Sequence, residues 1–123
     1  MLGSVFGDII GSVFEWHNVK REDFDLFSRE SRFTDDTVLT AAVADKLTNC
    51  DNPHGIGDNA ASAKMYASYY KVYYSRHPYA GYGQMFTDWA KSRDLYKQRS
   101  YGNGAAMRVS PAWKSLRAMT SPL

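Results

Sequence analysis

Thr34-Asp35-Asp36-Thr37-Val38-Leu39-Thr40-Ala41-Ala42-Val43-Ala44-Asp45-Lys46-Leu47-Thr48 is the stretch on which the fold turns. Two acids follow a threonine, and Leu39, Ala42, Val43 and Leu47 recur at helical spacing. This predicts an amphipathic helix from about Asp35 to Thr48, with Thr34 as its N-cap. The rest of the chain reads the same way. Leu2 to Trp16 is apolar at helical spacing, with Gly3, Gly7 and Gly11 every fourth residue. Ala60 to Ser75 is a helix rich in tyrosine (Tyr66, Tyr69, Tyr70, Tyr73, Tyr74), which His77-Pro78 ends. Gly81-Tyr82-Gly83 leads into a short helix around Met85 to Lys91. Gly102-Asn103-Gly104 opens a last helical segment that restarts at Ser110-Pro111. Residues 17 to 33 are charged and irregular, a surface loop or flap, and Asn49 to Asp58 is a turn. With no strand alternation and no repeat, the fold class is all-α.

Composition sets the outer bounds. A chain of 123 residues with a net charge of +2 carries no strong nucleic-acid signal. One cysteine, Cys50, excludes an internal disulfide and points to a reducing, cytoplasmic setting. The stretch from Met1 to Trp16 lacks a basic leader, carries Asp8 and Glu15, and is too short to span a membrane. His17, His54 and His77 have no mutual metal-ligand spacing, and Cys50 has no basic neighbour to activate a thiolate.

Three clusters can carry chemistry. Adjacent carboxylates at Asp35 and Asp36 repel by about 1 kcal/mol in water and roughly 3–4 kcal/mol near a partly buried surface. A helix N-terminus offsets only about 0.3–1 kcal/mol for each. An exposed pair therefore needs no ion, whereas a buried pair calls for a cation. The all-oxygen set Thr34, Asp35 and Asp36 suits Mg²⁺, Ca²⁺ or Mn²⁺ rather than structural zinc. Glu15, beside Trp16, reads as a metal ligand, a general acid/base or a solvated helix end. Asp8 reads as facing a cavity or, with more weight, as a hydrogen-bond partner of a neighbouring helix. Ser100-Tyr101-Gly102-Asn103-Gly104 places backbone N–H groups before a helix, as an anion site requires, although such turns also simply reverse a chain. Arg108 reads as a partner for a phosphate or an internal carboxylate. The three glycines of the first helix suggest close approach by a ligand or by another helix.

Taken in order, Gly7-Asp8-Ile9-Ile10-Gly11-Ser12-Val13-Phe14-Glu15, Phe33-Thr34-Asp35-Asp36-Thr37, Gly81-Tyr82-Gly83 and Ser100-Tyr101-Gly102-Asn103-Gly104-Ala105-Ala106-Met107-Arg108-Val109-Ser110-Pro111 resemble the ADP-ribosylglycohydrolase family. The resemblance implies an all-α fold around a cleft holding a pair of Mg²⁺ or Mn²⁺ ions, of which this chain is the N-terminal part. It makes Thr34, Asp35 and Asp36 metal ligands, and Glu15 and Asp36 catalytic. Ser100, Tyr101, Gly102 and Asn103 would hold ADP-ribose, with Gly83 in a turn that adds backbone contacts. The implied reaction is hydrolysis at the anomeric carbon of ADP-ribose or an ADP-ribosylated protein.

Family members are longer and supply further metal ligands from a later Asp-x-Asp-Thr motif. Here the Asp-x-Asp is Asp23-Phe24-Asp25, with no threonine after it. The expectation is an incomplete metal site, little activity for the chain by itself, and apolar surface left exposed. Two other readings stand beside this one. One is a non-catalytic module that binds ADP-ribose or a nucleotide through the Ser100 to Gly104 turn. The other is a half-site completed in trans by a second copy or a separate C-terminal half.

Overall fold

A computed structural model describes residues 2–49, 59–95 and 102–112. The helices are α1 (Leu2–Gly11), α2 (Asp35–Asn49), α3 (Asn59–Arg76), α4 (Gln84–Lys91) and α5 (Gly104–Met107), with no strand among the described residues. Cys50, His54, Ser100 and Tyr101, all weighed above, lie outside them.

The packed centre is the pairing of α2 with α3, to which α4 adds one end. Val38, Leu39, Ala42 and Val43 of α2 are buried, as are Ala67 and Tyr74 of α3 and Trp89 of α4. The predicted inward face of α2 holds at Leu39, Ala42 and Val43 but not at its end. There Leu47 is half-buried, and Lys46 is only 1% exposed. The ammonium of Lys46 stands 4.6 Å from the centre of the Tyr66 ring, so an aromatic face on α3 receives the charge while the aliphatic stem fills the core.

The tyrosine stripe of α3 is packing surface with its polar ends engaged. The Tyr73 hydroxyl donates to Asp45 at 2.8 Å. Tyr74, Tyr82, Phe86 and Trp89 form a continuous aromatic run, with successive ring centres 5.0, 5.1 and 5.4 Å apart. Lys71 closes α4 by donating to the carbonyls of Trp89 and Ser92 while lying over the Trp89 ring.

α1 stops at Gly11, earlier than the expected Trp16. The Ser12 hydroxyl donates back to the Ile9 carbonyl at 2.8 Å, and the Phe14 N–H bonds to Gly11 in a tighter turn. Such local side-chain bonding competes with helix continuation. Glu15 consequently sits in a turn, exposed, rather than on the helix. Residues 17 to 33 form the exposed irregular segment expected of them. Large apolar side chains stand out on α1 (Leu2, Phe6), on α3 (Met65, Val72) and at Val109. No described helix is long and apolar enough to cross a membrane.

Candidate functional site

The site is organised by Asp8. Its Oδ2 accepts the backbone N–H groups of Thr34 at 2.8 Å and Thr37 at 3.2 Å, together with the Thr37 hydroxyl at 2.5 Å. Its Oδ1 accepts the Thr34 hydroxyl at 2.5 Å. One carboxylate on α1 therefore satisfies four donors at the start of α2, where N–H groups have no intrahelical partner. Thr34 holds the capping position, its carbonyl accepting the N–H of Val38, but its hydroxyl lies a loose 3.4 Å from the Asp36 N–H. The stronger cap comes from the other helix.

This clamp fixes the directions of Asp35 and Asp36. Asp36 lines a cleft of about 470 Å³ together with Gly7, Asp8, Gly11, Glu15 and Asn103. A side chain built at Gly7 or Gly11 would meet nothing within 4 Å, so their bare face borders open space rather than a packed helix. Asp35, next to Asp36, is not among the residues lining that cleft. Its N–H bonds to Ala80 at 2.7 Å, and its Oδ1 lies 3.7 Å from where a Gly81 Cβ would stand. Gly81 has a φ of 102°, which glycine adopts without strain.

Among the described carboxyl groups, the two with displaced proton affinities are the adjacent Asp35 and Asp36. Burial, then the adjacent Asp36 charge, pushes the Asp35 carboxyl up to about 6, with Glu15 acting in the same direction and Arg108 against it. Asp36 is raised by burial and then by Asp8, again with Arg108 opposing and Glu15 reinforcing. The Tyr82 hydroxyl is buried without a hydrogen-bond partner. Burial first, and Asp35 second, push it well above the usual phenol range.

The predicted residues are thus only partly brought together. Glu15, Asp36 and Asn103 meet in the cleft from three separate segments. Gly102 precedes Asn103 and is exposed, whereas Gly83 stands outside the cleft lining as the N-cap of α4. Thr34 is buried, with its hydroxyl proton committed to Asp8. Among the described residues no three His, Cys, Asp or Glu side chains converge as metal ligands. From the sequence Tyr70 reads only as part of a packing stripe and Tyr82 only as part of a glycine turn, because neither pattern carries a sign of the arginine or carboxylate the side chain will meet.

Comparison with known proteins assigns a family to this helical chain. Residues 1–119 match the model of the ADP-ribosylglycohydrolases, and the chain belongs to that family. Among curated proteins it is similar to ADP-ribosylhydrolase ARH3 of Xenopus tropicalis, 28% identical over 134 aligned positions that cover 89% of this chain and 36% of that protein. The chain therefore spans about a third of the length of the curated relative it matches. No solved structure matches it.

Proposed function

We propose that this chain supplies one edge of an ADP-ribosyl hydrolase site, where the glycosidic bond between ADP-ribose and an acceptor is hydrolysed with Mg²⁺ or Mn²⁺. The observation that carries this is the meeting of Glu15, Asp36 and Asn103 in one cleft whose floor is the bare glycine face of α1. The donor chemistry fits a hard divalent ion. Asp35, Asp36 and the Thr34 hydroxyl are all oxygen donors, and two partly buried carboxylates share a field with Asp8 and Glu15. When bound, the ion would stabilise negative charge and orient ribose hydroxyls.

The chain's own residues have defined parts in this scheme. Asp8 accepts the hydrogen bond that the Thr34 hydroxyl donates, so the lone pairs of that oxygen are left to act as acceptors. Glu15, on the exposed turn after α1, accepts a proton from the attacking water as its oxygen bonds to the anomeric carbon. The bond to the acceptor breaks, and the proton passes to the leaving group. Ser100, Tyr101, Gly102 and Asn103 hold the diphosphate and ribose, with Gly83 adding a backbone contact. The remaining metal ligands come from polypeptide outside the described residues or from a second copy, and the setting is cytoplasmic.

Calorimetry with ADP-ribose and Mg²⁺ tests this reading. Binding is expected to weaken about tenfold or more in Asp36→Asn and Asn103→Ala, as for loss of a charge-assisted or buried hydrogen bond. Hydrolysis of an ADP-ribosylated peptide is expected to be slow. Absence of ADP-ribose binding at millimolar ligand would sink the proposal. A second reading, a binding module without catalysis, is favoured by the lack of three converging ligands among the described residues. Binding of ADP-ribose that EDTA leaves unchanged would select it.

A further inference from the structure

Asn103 enters the cleft at the head of α5, and little within α5 accounts for that placement. The helix is four residues long, and isolated helices shorter than about 12 residues are marginal in water. Asn103 stands at its N-cap position yet makes no capping bond with its side chain. The carboxamide is therefore left to whatever enters the cleft, which Asn103 and Met107 both line. Arg108, the residue after the helix, is not in that lining.

Arg108 is held on a different surface. Its guanidinium carbon lies 5.1 Å from the centre of the Tyr70 ring on α3 and 5.8 Å from that of Phe86 on α4. The group also donates to the Tyr70 hydroxyl. To reach them it folds back over the start of α5. A Cβ at Gly104, one helical turn earlier, would stand 2.6 Å from an Arg108 Nη and 3.6 Å from the guanidinium carbon. Glycine at that position leaves the room.

The rings that receive the arginine belong to the packed side of the molecule. Phe86 stacks on Tyr82 at 5.1 Å with the rings 11° from parallel, and it lies 5.4 Å from the buried Trp89. One side chain thus ties the short helix to α3 and α4. A planar guanidinium can face a ring and donate within its plane at once, which an ammonium cannot reproduce.

We propose that Arg108 is a positioning residue for ADP-ribose binding: it fastens α5 to Tyr70 and Phe86, and so holds Asn103 at the cleft with its carboxamide open to the ligand. The inference rests on the reading that the cleft takes ADP-ribose. Arg108 acts through Asn103 and has no part in the chemistry at the anomeric carbon.

A double-mutant cycle on the 123-residue chain, read by calorimetry with ADP-ribose, tests this. Arg108→Lys keeps the charge and loses the planar fork, and is expected to weaken binding about tenfold. In the Asn103→Ala background the same substitution is expected to change affinity by less than about twofold, because the side chain it positions has gone. A general loss of structure weakens binding equally in both backgrounds. If Arg108→Lys does not fold, Gly104→Ala takes its place, since a methyl there displaces the guanidinium and leaves the arginine in the chain. The same pair of results is expected of it.

Unchanged affinity in the variant, or an equal loss in both backgrounds, overturns the inference and leaves the ADP-ribose reading standing. Absence of ADP-ribose binding by the parent chain at millimolar ligand removes that reading, and this inference with it.

Discussion

Where α2, α3 and α4 meet, Leu39 is 1% exposed, Ala42 is fully buried, and the cations Lys46 and Lys71 lie over aromatic rings. Where α1, the start of α2 and α5 meet, the surface is glycine, carboxylate and amide around a cleft, and α1 buries no residue fully. Both regions gather charge, but they handle it differently. The first buries cations against π-faces and carbonyls within the fold. The second concentrates carboxylates and leaves room for a ligand. A surplus of negative charge beside open space costs stability, and the packed side must offset it.

The sharpest way to break this contrast is to change one key side chain on each side. Leu39→Ala is expected to cost about 2–5 kcal/mol in urea denaturation, the range for a buried leucine that leaves a cavity. Asp8→Asn should cost about 1–3 kcal/mol, because an amide cannot accept from all four donors at the head of α2. It should also weaken Mn²⁺ and ADP-ribose binding, which Leu39→Ala need not do while folded. If Asp8→Asn costs as much as Leu39→Ala and leaves binding intact, the clamp belongs to the core and not to the site.

Asp35 gives the pH arm of the comparison. Its carboxyl holds a proton up to about pH 6 in the folded chain and releases it near 3.8 otherwise. Between those values the folded state binds more protons, so this contribution to stability is full at low pH and is lost as pH rises through 6. Solvent reaches the group, and the screened effect is about 1 kcal/mol. Asp35→Asn should therefore raise the melting temperature at pH 7.5 and leave it unchanged at pH 4. A parallel rise at both pH values would remove the charge from the explanation.

The smallest effect is a gain. Gly7→Ala meets open space and should stabilise α1 by about 0.5–1 kcal/mol. It also narrows the cleft, so the same variant should bind ADP-ribose less well. Improved stability with unchanged binding would show that the glycine floor does not touch the ligand.

The start of α2, the end of α3 and the start of α4 were legible because local signals mark them: a threonine before two acids, a proline after His77, a glycine before Gln84. The end of α1 was not. The hydroxyl of Ser12 bonds to the helix behind it, and nothing in the apolar spacing announces that choice. Burial of Lys46 was equally hidden, since it needs a ring from another helix above it. At the site, Glu15, Asp36 and Asn103 stood out as residue types, and the choice for Asp8 between a cavity wall and a helix partner ends in both. Arg108 was visible as a possible partner for a carboxylate, but its enclosure depends on Tyr70, Phe86 and Gly104 arriving from three segments.

The two ends of the irregular segment between α1 and α2 are held at nearly the same place. Ser12 accepts the N–H of Arg32, 20 positions on, and Asp8 holds Thr34 four residues along α1 from Ser12. A segment fastened at its base can change length with little strain on what it joins, because doubling a loop costs only about 0.6 kcal/mol in closure entropy. Insertions and deletions between residues 17 and 31 should therefore leave the carboxylates where they are. That gives this chain a stretch whose length can change beside a fixed acidic edge.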